Sequence, residues 1–291
     1  MSVAPQTVPP QAVPPQAVDV AAARPRVRPL RWVAGAVLLV LVAQFAWFLV
    51  TNPELKWPVV GRYLFDPNIL RGLGMSLLLT VIAMVLGSAL GVLLEVGRMS
   101  GFRPVVWACT VYVTVFRSIP PLVQLIFWFN LGYLLPRIPL GVPFGPTFVS
   151  WPTNSVISSF TAAVIGLTLH EAAYMAEIVR AGITSVDGGQ RDAARAMGFT
   201  ARQSFVKVVL PQAMRVIIPP TGSQFITVLK GTSLVSVIAM ADLLYSVQVI
   251  YNRTYEVAPL LIVACAWYLV VVISLSLGQR RLERHFGKGQ R

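Results

Sequence analysis

The sequence predicts an all-α protein, a polytopic membrane helix bundle of about six transmembrane helices, and three observations carry that expectation. Hydrophobic residues make up 56% of the 291 residues and charged ones only 12%, where a soluble domain is about a quarter charged. The apolar residues fall in runs long enough to cross a hydrocarbon core of ~30 Å. The basic residues gather in alternate connections between those runs. An ordinary soluble enzyme is excluded. The net charge of +13 would also suit a nucleic-acid binder, but its placement beside the apolar runs makes the lipid bilayer the expected partner and no nucleic acid. Cys109 and Cys265 both lie inside apolar runs and offer no disulfide framework.

Residues 1–29 contain two near-copies of a Val-Pro-Pro-Gln-Ala-Val unit and are followed closely by Arg31. Such a Pro-rich stretch cannot bury a core and reads as a disordered tail, with a polyproline docking segment as the alternative. Residues 30–50 follow as a first span, Trp32–Val50. It ends in Trp47, Phe48 and Leu49 rather than in small residues, so it reads as an uncleaved helix and not a signal peptide. Five more spans are expected at Leu70–Val96, Pro104–Leu135, Val156–Ala181, Val216–Ala239 and Val257–Leu277. The third is too long for one straight crossing, and Arg117-Ser118-Ile119-Pro120-Pro121 interrupts it. Paired prolines remove backbone donors, and broken backbone at membrane depth survives only against protein or a wet cavity. That break points to a transport path. A basic tail, residues 279–291, closes the chain.

Orientation follows from charge. With the amino terminus inside, the cytoplasmic segments hold Arg24, Arg26, Arg28 and Arg31, then Arg98 and Arg103, then six basic residues from Arg180 to Arg215 and five after Gly278. The outer connections hold only Lys56, Arg62, Arg71, Arg137 and Arg253. Both termini are therefore expected in the cytoplasm.

The polar segment 185–211 reads as a cytoplasmic loop built of two short helices. Asp187 with Gln190, and Thr200 with Gln203, have capping-box spacing; Gly198 suits the left-handed residue that ends a helix; Pro211 is expected to limit the second helix. Between these lies Asp192-Ala193-Ala194-Arg195-Ala196-Met197-Gly198, small-sided with one protruding Met. Such a helix can enter a groove on another protein closely, or lie on the membrane surface.

The run DAARAMGFTARQSFVKVVLP resembles the signature loop of ATP-binding-cassette importer permeases. That family carries Glu-Ala-Ala, three residues, Gly, nine residues, an aliphatic residue, one residue, then Leu-Pro. Asp192, Ala193, Ala194, Gly198, Val208, Leu210 and Pro211 keep the spacing, with Asp for Glu. AYMAEIVRAGITSV, LPQAMRVIIPP, QFITVLKGTSLVSVIAMADLL and VTVFRSIPPLVQLIFWF look like the polar amino-acid permeases (the histidine, glutamine, glutamate, arginine and opine group). The resemblance implies a type I importer-like transmembrane domain over residues 65–278, with residues 30–50 as an extra span. It implies that Asp192, Ala193, Ala194, Arg195, Ala196, Met197 and Gly198, with Leu210 and Pro211, form a coupling region seated on a separate ATPase. It also implies a second permease copy or sister permease, an extracytoplasmic substrate-binding protein and an amino-acid substrate. ATP and Mg would be bound by the ATPase and no cofactor by this chain, because Lys230-Gly231-Thr232-Ser233 lacks the order of a phosphate-cradling loop. Two departures bear on substrate. The family usually reads Arg-Gly-Thr-Pro-Leu at Arg117–Pro121, and an acidic or amide residue at Gly231.

Ionisable residues at membrane depth are functional candidates by default. His170, Tyr174 and Glu177 share one helical face, and Glu177 with Arg180 at i, i+3 has pairing distance. Glu171 lies deeper, and reads either as a ligand for a substrate ammonium or as the partner of Arg117 or Lys230. Lys230 is expected to attract a substrate carboxylate, with Thr232 and Ser233 as hydroxyl donors. Gly87-x-x-x-Gly91 permits close helix packing. Asn252-Arg253-Thr254 matches a glycosylation acceptor by coincidence, and His285 reads as solvated. No His/Cys cluster has metal-ligand spacing and no catalytic triad is apparent, so a non-catalytic subunit of a multi-pass cytoplasmic-membrane importer is expected. An ion-gradient-driven secondary amino-acid transporter is the alternative.

Overall fold

The computed structural model describes residues 29–142 and 145–286; the Pro-rich stretch over residues 1–28 and the end of the basic tail lie outside the described residues. The chain divides into two units, Met1–Pro53 and Glu54–Arg291. The first contains α1 (Pro29–Thr51), a helix apolar all round, which suits a lipid-facing span.

The second unit begins with α2 (Trp57–Tyr63), α3 (Pro67–Arg98), α4 (Arg103–Ser118), α5 (Pro121–Phe129) and α6 (Leu131–Leu134). A hairpin follows, β1 (Arg137–Gly141) and β2 (Thr147–Pro152), and then α7 (Thr153–Val156) and α8 (Ser159–Thr184). The loop helices are α9 (Gly188–Ala196) and α10 (Ala201–Ser204). The chain then runs through a π turn (Phe205–Val209), α11 (Leu210–Gly231), a 3-10 segment (Thr232–Ile238), α12 (Leu243–Thr254) and α13 (Val257–Phe286). Among the described residues, four helices are long and apolar enough to cross a membrane. Two bent pairs raise the number to six: α4 with α5, at 103°, and Ala201–Ile238 with α12, at 44°. The six-span, all-helical expectation holds, apart from the one hairpin.

The third span breaks where the paired prolines stand. Gln124 bridges the break: its Nε2 donates to Phe116 O, the carbonyl that Pro120 leaves without its helical donor, at 2.9 Å, and to Ile119 O at 2.8 Å. The fifth span differs from the expectation at both ends. Pro211 does not end a helix there. The π turn, closed by Leu210 N–H to Phe205 O, widens the path so that the proline ring clears the preceding turn. The Gln212 side chain donates to the carbonyl of Val208 at 3.0 Å. At the other end α12 extends the pair, capped by Asp242, which accepts from Leu244 N–H at 3.2 Å and Tyr245 N–H at 2.8 Å. Residues 279–286 likewise continue α13 as helix rather than forming a separate tail.

The central pair is α3 on α8. A Cβ on Gly91 would lie 2.7 Å from Met175 Cβ, 2.8 Å from Ala172 O and 2.9 Å from Ala176 N. Only glycine lets the two backbones approach so far, and van der Waals contact at that range is what binds helices that gain little from hydrophobicity in lipid. The Gly87-x-x-x-Gly91 spacing therefore marks a packing face. Leu79 and Ala83 of α3, Leu125 of α5, Leu167 of α8, Val228 of α11 and Val235 of the 3-10 segment are buried in one core. It fixes the broken spans against the straight ones.

Candidate substrate path and coupling loop

A cavity of about 700 Å³ lies where the end of α4, the C-terminal half of α8, the middle of α11 and the end of α13 meet. Its polar lining is Arg117, Tyr174, Glu177, Arg180, Ser223, Gln224 and Glu283. Pro219 and Pro220 form part of the wall; two consecutive prolines inside α11 free carbonyls of the preceding turn, which need a wet or polar surface.

Glu177 is the hub. Arg98 Nη1 donates to its Oε1 at 2.7 Å, and Arg180 Nε and Nη2 donate to its Oε2 at 3.0 and 2.9 Å. Arg117 Nη1 stands off at 3.7 Å with its guanidinium 5.4 Å from the centroid of the Tyr174 ring. The Tyr174 ring in turn lies 4.9 Å from His170, and His170 Nδ1 is 3.3 Å from Gln124 Nε2. Glu95 adds a second carboxylate, 3.6 Å from Arg98. The expected Glu177–Arg180 pair is thus present, but inside a cluster of three guanidiniums and two carboxylates. Arg117 is its least engaged cation, with a side chain 44% exposed.

Glu171 is fully buried, and the expected alternative of a salt bridge to Arg117 or Lys230 is not what the structure contains. Its Oε2 accepts from Gln224 Nε2 at 2.9 Å, and its Oε1 has no hydrogen-bond partner. Gly87 makes room for it, since a Cβ there would come within 2.8 Å of Glu171 Cβ and Cγ. Because Gln224 also lines the cavity, Glu171 sits immediately behind the cavity wall.

The remaining predicted path residues lie elsewhere. Lys230, Thr232 and Ser233 do not line this cavity. Thr232 is buried and donates to Leu229 O at 2.7 Å, and Ser233 donates to Lys230 O at 2.8 Å. Both hydroxyls satisfy the turn that converts α11 into the 3-10 segment. Gln224 and the Pro219–Pro220 pair were not singled out from the sequence. The prolines carried a usable signal, the same one that exposed the break at Pro120–Pro121.

The loop helix α9 is held close to α8. Arg191 Nη2 donates to Ile183 O at 2.6 Å. The Asp187 side chain caps the helix through Gly189 N–H at 2.5 Å, not through a box with Gln190 as expected; Gln190 N–H goes instead to the Asp187 carbonyl. The helix ends in a Schellman motif: Gly198, at φ +80°, donates its N–H to Arg195 O at 2.9 Å, and Phe199 N–H reaches Ala194 O at 3.1 Å. The Thr200–Gln203 capping box is fully formed. Ala194 is buried against the chain itself, while Asp192, Ala193, Arg195, Ala196, Met197 and Gly198 are exposed. Pro211 and half-buried Leu210 begin α11, directly behind the loop.

Residues 83–288 match the family described as binding-protein-dependent transport system inner membrane component. The chain is 43% identical over 270 residues to the arginine transport system permease protein of Corynebacterium glutamicum, covering 92% of this chain and 83% of that one. It is 38% identical over 234 residues to a glutamate/aspartate import permease protein of Escherichia coli, covering 79% and 98%. Among solved structures, an amino acid ABC transporter with histidines aligns with a TM-score of 0.66 at 33% identity, over 76% of this chain and 95% of that one. An inward-facing methionine ABC transporter shares the fold, with a TM-score of 0.55 at 21% identity over 75% and 95%. A broken-helix bundle, a two-signed cavity and a small-sided loop helix thus coincide with these similarities: the chain belongs to the binding-protein-dependent inner-membrane transport components, as an amino-acid ABC transporter permease of the type I fold.

Proposed function

We propose that this chain forms the translocation path of an ATP-driven importer of polar amino acids and docks an ATPase through α9. One observation carries the reading. The same helix, α8, bears Tyr174, Glu177 and Arg180 on the cavity and, three residues past its end, leads into α9, to which Arg191 ties it through Ile183 O. A push on α9 has only the three residues 185–187 to cross before it reaches the helix of the cavity wall.

A free amino acid carries an ammonium and a carboxylate, and the cavity offers groups for each. Arg117 is the guanidinium with spare capacity for the carboxylate. Glu171, behind Gln224 in the cavity wall, keeps one oxygen without a partner for the ammonium, whereas Glu177 in the lining is taken up by Arg98 and Arg180. Asp192, Ala193, Arg195, Ala196, Met197 and Gly198 form the docking face, with Ala194, Leu210 and Pro211 holding that face in place. ATP and Mg are bound and hydrolysed in the partner ATPase. A second permease copy or sister permease completes the path, and an extracytoplasmic binding protein delivers substrate. Both termini face the cytoplasm, as the seventeen inner basic residues against five outer ones require.

The test is co-purification of this chain with the ATPase, followed by ATP hydrolysis in proteoliposomes containing the binding protein. Hydrolysis stimulated by a polar amino acid supports the reading. A chain that purifies alone and moves amino acids down an imposed ion gradient supports the secondary-transporter alternative instead.

A further inference from the structure

The hairpin has no part in the path or the coupling loop, yet its residues are sorted by face. Ile138 stands opposite Trp151 and Leu140 opposite Val149, while Arg137 pairs with Pro152 and Pro139 with Ser150. Successive strand residues point to opposite faces. One face therefore carries Ile138, Leu140, Val149 and Trp151, and the other Arg137, Pro139, Ser150 and Pro152; Phe148, 69% exposed, stands at the bulge between the Leu140 and Gly141 pairs and has no cross-strand partner. Arg137 is secured within the hairpin, its Nε donating to Ser150 Oγ and its Nη2 to Ser150 O, each at 3.0 Å. The apolar face is bare: Leu140 is 60% exposed, Val149 46% and Trp151 45%. A two-stranded ribbon alone is marginal in water, so this face needs a cover.

We propose that the apolar face rests on the bilayer, at headgroup depth, in the leaflet opposite the α9 loop. Position supports this. The hairpin is spliced between the end of the broken span α4–α6 and the start of the span α8, so it emerges where two spans leave the membrane. Its base is pinned there, Thr153 N–H donating to Pro136 O at 3.0 Å and Thr153 Oγ1 to Leu135 O. The helices on either side of it carry exposed apolar side chains of their own, Phe127, Leu134 and Phe160. Depth follows from the backbone. The outer edges of a two-stranded ribbon carry unpaired N–H and C=O groups, which hydrocarbon does not accept, whereas the headgroup layer does. A face with one Trp, three aliphatic residues and no charge has the chemistry of the aromatic belt at that level. A soluble partner that comes and goes would leave it wet between encounters.

The experiment uses the assembled transporter in phosphatidylethanolamine–phosphatidylglycerol vesicles, with Cys109→Ala and Cys265→Ala as background. Single fluorophores are attached at Leu140→Cys and Val149→Cys on the apolar face, and at Pro139→Cys and Ser150→Cys on the polar face. Each is quenched in turn by a lipid spin-labelled near the headgroup and by aqueous iodide. The proposal expects lipid quenching several-fold stronger at Leu140 and Val149 than at Pro139 and Ser150, with iodide in the reverse order. Equal quenching on both faces, or iodide access at Leu140 and Val149, would overturn it. So would shielding of those two positions from both quenchers, which would assign the face to a second permease copy or to the binding protein.

Discussion

Arg98 of α3 donates to Glu177 of α8 at 2.7 Å, with the two side chains only 13% and 20% exposed. Around that bond three guanidiniums share one carboxylate, so its removal leaves Arg98 half-buried without its strongest acceptor. Glu177→Ala should destabilise the purified complex by about 2 kcal/mol, the range for losing a charge-assisted bond short of full burial. Glu177→Gln, which still accepts a hydrogen bond, should lose less. The readout is the denaturation midpoint in mild detergent. An unchanged midpoint for the alanine variant would mean that the cluster is spaced by packing alone.

Glycines on α3 should differ sharply according to what they face. Gly91→Val forces a branched side chain into the Ala172 carbonyl and the Ala176 amide of α8, and backbone cannot give way cheaply. Folded yield should collapse. Gly74→Val, where a Cβ meets nothing within 4 Å, should express like the parent, measured by monodisperse recovery after size exclusion. Equal recovery of the two would refute the close packing of α3 on α8.

Glu171→Gln preserves volume and can still bond to Gln224 while removing the buried charge. If Glu171 meets the substrate ammonium, uptake should fall by about tenfold or more, the loss of one charged hydrogen bond, with ATPase retention unchanged. Normal uptake would reduce Glu171 to a packing residue beside Gly87. Loss of the assembled complex would instead assign it a structural role.

The legible parts of the chain were those written in local chemistry. Apolar length yielded the six spans, Pro120–Pro121 the break, Gly198 the left-handed helix end, and Thr200–Gln203 a capping box. Long-range geometry was not legible. The sequence offered Arg117 and Lys230 as partners for Glu171, but which helices meet decides such pairs, and Gln224 on α11 reached it first. Pro211 was misread because a single added residue per turn, the π segment Phe205–Val209, absorbs a proline that an α-helix would not. The hairpin escaped because its alternation spans only a few residues in a Pro- and Gly-rich connection between two spans.

Gly198 separates coupling from folding. Its φ of +80° costs a side-chain-bearing residue roughly 1 kcal/mol or more, while a Cβ there would meet nothing within 4 Å of its own chain. Gly198→Val should therefore leave the spans intact but weaken ATPase retention about fivefold or more, or let hydrolysis run without transport. Wild-type retention together with wild-type uptake would remove α9 from the docking face.

The energy source of transport is the most direct test. Proteoliposomes containing this chain, its ATPase and the binding protein should accumulate a labelled polar amino acid only with ATP on the ATPase side, and should continue to do so when ionophores abolish all ion gradients. Accumulation that needs a sodium or proton gradient and proceeds without the ATPase would contradict the account.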